Sequence, residues 1–406
     1  MGDDLRLMNG MRPAIVLDLF IGGLQVGRTL GAYGIPVYGI DRCDDPPGAF
    51  SRFVKVLDAP EDWGALCRYL LEFSRKAGTK PVLIPTSDYY VRFLCDHYDE
   101  LSSAFLIPYP GRDLIAGMVR KIGLNALFSE HGIPTPRSLV IEKGVGSVPG
   151  EWRGRFPCIL KPDYQDRWTG SKEVCCFLGA AQRCFLLERM EDLEATLGKV
   201  GGVDNMVLQE FIPGDGLYYY VGYRNSSGRM LASFVGKKVR TYPHTLGSET
   251  ILESVHVPQV GELGERILHA LNYSGPAGID FKYDPRDGEF KVIEINCRIG
   301  LNDCYLSRHG VNIPLIYYND CIGNNGKAYT DYPAGITWCN FFQDLDWMRD
   351  YAANDLKLWL SWGMDLLKGY DEYALFSWED PRPFLRFMRL RMLRMLKTVN
   401  RNARLI

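Results

Sequence analysis

Glu294, Asn296 and Arg298 alternate along an apolar run in KVIEINCRIG, residues 291–300. A strand repeats every two residues, so Val292, Glu294, Asn296 and Arg298 share one face and Ile293, Ile295 and Cys297 the other. Just upstream, GIDFKYD at 278–284 places Asp280, Lys282 and Asp284 on one face, backed by Ile279, Phe281 and Tyr283. The turn signal PRDG predicts a hairpin, and antiparallel pairing brings Asp280 beside Glu294 and Asn296. Two facing carboxylates repel unless a cation separates them. An oxygen-only set of two carboxylates and one amide suits Mg2+, with Mn2+ as the alternative ion, and phosphate oxygens would complete the coordination. Arg298 adds a forked donor for phosphate or carboxylate oxygens. The chemistry indicated is the handling of a metal-bound nucleoside triphosphate. A Glu294–Arg298 salt bridge on a solvated sheet face is the plainer alternative, and the hairpin by itself does not decide.

Other segments supply partners for such a ligand. FPCILKP, residues 156–162, is a short apolar strand that delivers Lys161 at its end. Lys121 stands near the start of RKIGLNALFSEHGIPTP, a helix-like stretch halted by Gly132 and two prolines. A compact ammonium serves phosphates well, although each lysine taken alone also reads as surface charge. MVLQEFIPGDG, residues 206–216, is an apolar strand broken at Pro213 and Gly214. Its extended backbone at Gln209, Glu210, Phe211 and Ile212 offers N–H and C=O groups to a purine edge. Asp215, in the turn, is placed to accept from ribose hydroxyls.

The elements that must hold these residues follow from pattern. AIVLDLFIGGLQVGRTLGAYGIPVYGID, residues 14–41, reads as strand, glycine turn, helix and strand, and PVLIPTSDYYVRFL adds another strand and helix. A small parallel α/β domain is expected there. Gly22, Gly23 and Gly27 do not spell G-x-G-x-x-G, yet Asp41 lies about 20 residues past the first glycine, where a ribose-binding acid would sit, so an NAD-dependent oxidoreductase is an alternative reading. YYYVGYRNSSGRMLASFVGKKVR predicts a hairpin around NSSG, and an amphipathic helix follows near 260–272. A chain of 406 residues predicts two or three packed units. An apolar share of 46% with 24% charged residues excludes a disordered chain. The net charge of -2 speaks against a broad nucleic-acid-binding surface. Eleven cysteines without a C-x-x-C pair predict reduced thiols packed as small hydrophobes. The N-terminal apolar stretch lacks a cationic lead, and no apolar run reaches about 18 residues, so a cytoplasmic protein is expected.

Read in order, a lysine ahead of GIPTP, then FPCILKP, then QEFIPG, then Asp280 with Glu294-x-Asn296-x-Arg298 resembles the ATP-grasp superfamily, and within it the carboxylate-amine ligases, over roughly residues 12 to 322. The resemblance implies a mixed α/β and α+β architecture in which two lobes clamp ATP behind the parallel α/β domain. The divisions implied are 1–115 for that domain, 116–322 for the clamp and 323–406 for a helical C-terminal extension. It implies ATP phosphates at Lys121 and Lys161, adenine at Gln209, Glu210, Phe211 and Ile212, and Mg2+ at Asp280, Glu294 and Asn296. Arg298 would steady the phosphates and an acyl-phosphate, and Lys172 would cover the γ-phosphate. Two departures stand out: the loop DYQDRWTGSK is bulky where such loops are rich in glycine and serine, and Gly216 occupies the usual place of the ribose acid, with Asp215 as its substitute.

The activity implied is an ADP-forming carboxylate-amine ligase acting on small-molecule substrates, an amino acid among them. GKKVRTYPHTLGSET, residues 236–250, is similar to a basic stretch of D-aspartate ligases and their relatives, which implies a substrate carboxylate at Lys238 and Arg240. Asp88 would reach in from the N-terminal domain to hold an amine, and His244 is either a base or structural. A non-catalytic ATP-binding scaffold of the same fold is a further alternative. At the end of the chain, FLRFMRLRMLRMLKTVNRNARLI is a basic helix whose Phe384, Leu385, Met388, Met392, Met395 and Leu396 fall opposite its Arg and Lys residues. Such a helix suits peripheral contact with an anionic membrane at its inner face, or packs onto the body of the protein.

Overall fold

The structure, a computed structural model, describes residues 11–145, 150–152, 154–164, 184–200, 205–244, 246–324 and 326–402. Lys172 and most of the DYQDRWTGSK loop lie outside the described residues.

Short, wholly apolar segments build the first sheet. β1 (Ala14–Leu17), β2 (Val37–Ile40), β3 (Val54–Val56) and β4 (Val82–Pro85) run parallel in the order β3-β2-β1-β4. β1, β2 and β4 are buried from end to end, as strands covered on both faces must be. The winding reverses between β1 and β4, so the loops after these two strands open a crevice at their carboxyl ends. Three helices follow strands of this sheet: α1 (Ile21–Ala32), α2 (Trp63–Ala77) and α3 (Asp88–Asp96). The ends of α2 follow local chemistry: Asp62 accepts from the Ala65 N–H at its start, and Gly78 closes it at φ 64. The glycines expected as a turn after β1 lie inside α1 instead. Gly23 is there because a Cβ would sit 1.9 Å from the Asp18 carbonyl oxygen.

α4 (Lys121–Glu130) leads into a four-stranded antiparallel sheet made of β5 (Ser138–Ile141), β6 (Cys158–Pro162), β7 (Phe185–Leu187) and β8 (Met206–Glu210), in the order β5-β8-β6-β7. A larger sheet follows, with β9 (Leu217–Arg224), β10 (Met230–Tyr242), β11 (Ser248–Ser254), β12 (Gly275–Asp284), β13 (Glu289–Asn296), β14 (Thr337–Cys339) and β15 (Glu372–Tyr373). Its order is β13-β12-β9-β10-β11-β14-β15. The expected hairpins around NSSG and PRDG are both present. One face buries Tyr220, Ile279, Phe281 and Ile295 against Val260 and Ile267 of α5 (Pro258–Ala270). The opposite face buries Tyr219, Val221, Phe234 and Leu252 in a cluster that includes Ile21 and Leu24 of α1. The first sheet and the large sheet therefore share their cores.

The segment after residue 322 is helical as expected, with α6 (Phe341–Tyr351), α7 (Leu356–Lys368) and α8 (Arg382–Asn402), but it also adds β14 and β15 to the large sheet. Buried Asp380 fastens it to the N-terminal domain, accepting from Arg28 Nε at 3.0 Å, Ser51 Oγ at 2.7 Å and the Arg52 N–H at 3.1 Å. The start of α8 does not leave its apolar side free. Phe384 and Phe387 meet the Phe342 ring of α6 at 5.5 and 5.1 Å, and Met388 packs beside them, while Leu385 and Met392 face solvent. Among the described residues no helix is long and apolar enough to cross a membrane. Among the described residues eight cysteines are free, most of them buried, whereas Cys43 is disulfide-bonded, against the expectation of thiols throughout.

G23A would force backbone apart at the start of α1. We expect it to cost about 3 kcal/mol or more in equilibrium urea unfolding; stability close to wild type would show that α1 can shift to make room.

Candidate active site

β12 and β13 pair so that Asp280 stands opposite Glu294 and Gly278 opposite Asn296. The register then slips: Phe281 pairs with Val292, which leaves Ile293 as an extra residue in β13. This bulge corrects the simple alternation. Val292 turns into the core with Ile279, Phe281 and Ile295, and Ile293 joins Glu294 and Asn296 on the wall of a cleft.

The cleft, about 400 Å3 in volume, lies where the three sheets converge. It gathers Asp88, Lys121, Lys161, Gln209, Glu210, Phe211, Ile212, Lys238, Asp280, Glu294, Asn296 and Arg298, residues that sequence reasoning had placed in one site. The two elements that carry the lysines are joined by one acid. Asp163, two residues past Lys161 and buried, accepts from the Ile122 N–H at 3.0 Å and from Arg120 at 2.9 Å, which ties the start of α4 to the end of β6. Lys161 donates to Gln209 Oε1 at 2.8 Å, and burial lowers its pKa. Lys121 forms an ion pair with Glu294.

Lys238 lies between Asp280 at 2.7 Å and Glu249 at 2.9 Å, above the Tyr219 ring. Burial by itself would drive off its proton, but the two carboxylates outweigh that and hold its pKa above the ordinary lysine range. Lys238, expected to meet a substrate carboxylate, here has its ammonium paired with these two protein carboxylates. Arg298 follows the same logic. It donates to Asp88 through Nε at 2.8 Å and Nη2 at 3.3 Å, and to Asn296 Oδ1 at 3.2 Å. Burial disfavours the guanidinium charge, and the Asp88 charge more than restores it. Asp88, expected to hold an amine, is thus the counter-ion of Arg298, delivered by the first turn of α3.

Two expected residues stand elsewhere. Arg240 is not in the cleft wall: it pairs with Asp344 at 2.8 Å and stacks on Trp347. The pairing of β10 with β11 shifts on both sides of Arg240, which breaks the alternation that would have kept it in line with Lys238. Asp215 is exposed and does not line the cleft, because the chain turns at Gly214, φ 86, and aims it at solvent. Within the hinge, the N–H groups of Glu210 and Phe211 already donate to the carbonyls of Arg137 and Pro157.

Pattern reading missed acids in the cleft and behind its wall of Tyr219 and Gly300. Asp303, fully buried, accepts from the Gly300 N–H and from Tyr219 Oη at 2.7 Å, yet burial pushes it up to about 6. Asp18 and Asp41 close the N-terminal side. Asp41 accepts from the N–H groups of Leu19 and Cys43, but burial, and then the charge of Asp18, push it up to about 7. Asp41 was visible as an acid after β2, where it suggested a ribose site. Glu249 and Asn302 gave no such signal.

No family model matches the chain. Among curated proteins it is 27% identical over 272 residues to a D-aspartate ligase of Enterococcus faecium (strain Aus0004), a match covering 62% of this chain and 61% of that protein. The chain therefore spans about three-fifths of that relative's length. Among solved structures, an L-amino acid ligase from Bacillus licheniformis superposes with a TM-score of 0.59 at 14% identity, over 76% of this chain and 74% of the other. The biotin carboxylase domain of Hydrogenobacter thermophilus 2-oxoglutarate carboxylase, a complex with MgADP, ADP and bicarbonate, gives a TM-score of 0.62 at 13% identity, over 80% and 73%. The chain has the ATP-grasp fold. The three sheets of this ATP-grasp chain, and the cleft between them, carry the residues described above.

The raised acid Asp41 has a consequence for stability. An unfolded aspartate has lost its proton above about 4, whereas folded Asp41 keeps its proton up to about 7. Between those values the folded chain binds more protons, so the stability that this group contributes falls as pH rises. Urea unfolding at about pH 5 and about pH 7.5 should show wild type losing on the order of 1 kcal/mol more than D41N. Equal losses would place the titration elsewhere.

Proposed function

We propose that this chain is an ATP-dependent carboxylate-amine ligase that forms an amide or peptide bond on an amino-acid substrate, through an acyl-phosphate, with release of ADP and phosphate. The observation that carries this reading is Asp280 paired opposite Glu294 in a cleft that also gathers Lys121, Lys161 and Arg298. The likeness to a D-aspartate ligase and to an L-amino acid ligase supports it. We divide the chain into an N-terminal domain at 1–115, the ATP clamp at 116–322 and the C-terminal extension at 323–406. We place its work in the cytoplasm, with peripheral membrane contact through the C-terminal region.

Asp280, Glu294 and Asn296 fit a hard dication. All three donors are oxygens, and Asp280 Oδ2 and Glu294 Oε2 have no hydrogen-bond or ion-pair partner among the described residues. Among the described residues no group of three or more His, Cys, Asp or Glu is placed to hold a metal, so nucleotide oxygens must complete the set. Mg2+, or Mn2+ as the alternative ion, would supply neutralisation of phosphate charge when bound.

The protein's own residues do the rest. Gln209, Glu210, Phe211 and Ile212 frame the adenine. The Ile212 N–H has no hydrogen-bond partner among the described residues and is the hinge donor left for the purine edge. Lys161 and Lys121 take phosphate oxygens, and Lys121 exchanges Glu294 for the nucleotide. A substrate carboxylate oxygen attacks the γ-phosphorus, the bond to the β-bridging oxygen breaks, and ADP leaves. Arg298, held by Asp88, offsets charge on the transferring phosphoryl group and then on the acyl-phosphate. The amine, having given up a proton, attacks the carbonyl carbon, and the carbon–oxygen bond to phosphate breaks.

With ATP and Mg2+, ADP and phosphate should appear in equal amounts only when a carboxylate and an amine are both supplied, as followed by chromatography and a phosphate assay. AMP and pyrophosphate would refute the chemistry. E294Q should lower turnover on the order of 100-fold while nucleotide still binds. D88N should cost on the order of 10- to 100-fold in turnover by releasing Arg298, with D88E recovering part of it; turnover unaffected by D88N would mean that Arg298 is held by other contacts.

A further inference from the structure

Leu356, Leu360, Met364 and Leu367 recur at helical spacing along α7 and form one stripe. They are 72%, 61%, 55% and 89% exposed. The packing of α7 is done by its other side, where buried Trp362, with Leu358, Trp359 and Leu366, meets Phe341 and Met348 of α6. The helix thus has two apolar faces, and the body of the protein covers one. Together the four exposed side chains present roughly 500 Å2, a patch size that is often functional on a monomer, yet below the roughly 800 Å2 per partner of a standard protein interface. A second copy of the chain is therefore the less favoured occupant.

Charge identifies the favoured one. Lys357 and Lys368, both exposed, border the stripe, Lys368 paired with Asp365 at 3.3 Å and Asp355 capping the start of the helix, so the net cationic charge comes from α8. α8 has seven Arg and Lys residues and no Asp or Glu, and it is joined to α6, the helix beneath α7, by the Arg391–Asp346 ion pair. A cationic helix bound to the same support as an uncovered apolar stripe is the combination that binds an interface of acyl chains and anionic headgroups. We propose that the α7 stripe docks on an anionic lipid surface, with its leucines and Met364 entering the headgroup boundary and α8 supplying the electrostatic attraction. This proposal does not rest on the ligase reading, since its readout is binding and not turnover.

The test is cosedimentation of the full chain with vesicles of phosphatidylcholine alone and of phosphatidylcholine with phosphatidylglycerol. Binding is expected to the anionic vesicles and to weaken from about 0.1 M to about 1 M salt, as the screening length falls from about 10 to about 3 Å. L360E/L367E should weaken it on the order of tenfold or more, and the milder L360Q/L367Q should follow the same direction, with unfolding curves of both variants matched to wild type. Three results would overturn the proposal: no binding to anionic vesicles, equal binding to both vesicle types, or binding unchanged in the two variants. So would a concentration-dependent dimer in sedimentation velocity that these substitutions abolish, which would assign the stripe to a second copy.

Discussion

Carboxylates crowd the cleft, and the balance of charge around them is what the rest of the site depends on. Asp280, Glu294, Glu249 and Asp88 come together in this recess, and carboxylates so gathered repel one another unless cations stand between them. The protein supplies those cations itself: Lys121 on Glu294, Lys238 between Asp280 and Glu249, Arg298 on Asp88. Where burial outweighs the nearby cations, protons stay on longer, as the raised values of Asp41 and Asp303 indicate. The free cleft is thus already close to neutral. On the function proposed above, a triphosphate with its dication would exchange charges of matching sign with the lysines and carboxylates, so binding need not create a field from nothing.

Such matching demands tight placement, and the scaffold provides it at the ends of elements more than in their middles. Asp163 joins the start of α4 to the end of β6, which sets the separation of Lys121 and Lys161. The first turn of α3 carries Asp88 across to Arg298. The bulge at Ile293 lets β13 keep Glu294 and Asn296 in the cleft while returning Val292 to the core. Each device is local, involving a few backbone groups, yet each decides where a charge sits.

Much of this was legible in the sequence because the signals were short-range and repeated. The PRDG turn and the alternation on either side of it were enough to bring Asp280 opposite Glu294, and FPCILKP and QEFIP announced their strands by composition. Arg240 was misplaced because nothing in its neighbours announces the slips in the pairing of β10 with β11. For Asp88 and Lys238 the cavity was legible but the protein partner was not, since a charge's nearest opposite lies far away in the chain: Arg298 for one, Glu249 and Asp280 for the other. For the basic terminal helix, membrane contact and packing onto the body both stood open, because the rings of α6 that cover its beginning were invisible from its own periodicity.

Asp380 has a wider consequence. Its hydrogen bonds to Arg28, Ser51 and Arg52 fasten the tail of the chain to the first sheet, whose core already merges with that of the seven-stranded sheet. Among the described residues the lobe of β5 to β8 keeps a small apolar nucleus of its own, around Trp152, Leu160 and Leu208, and α6 and α7 keep another around Met348 and Trp362. The first sheet, the seven-stranded sheet and the tail of the chain are therefore joined into one frame, to which the lobe carrying Lys161 adds a nucleus that merges with neither core.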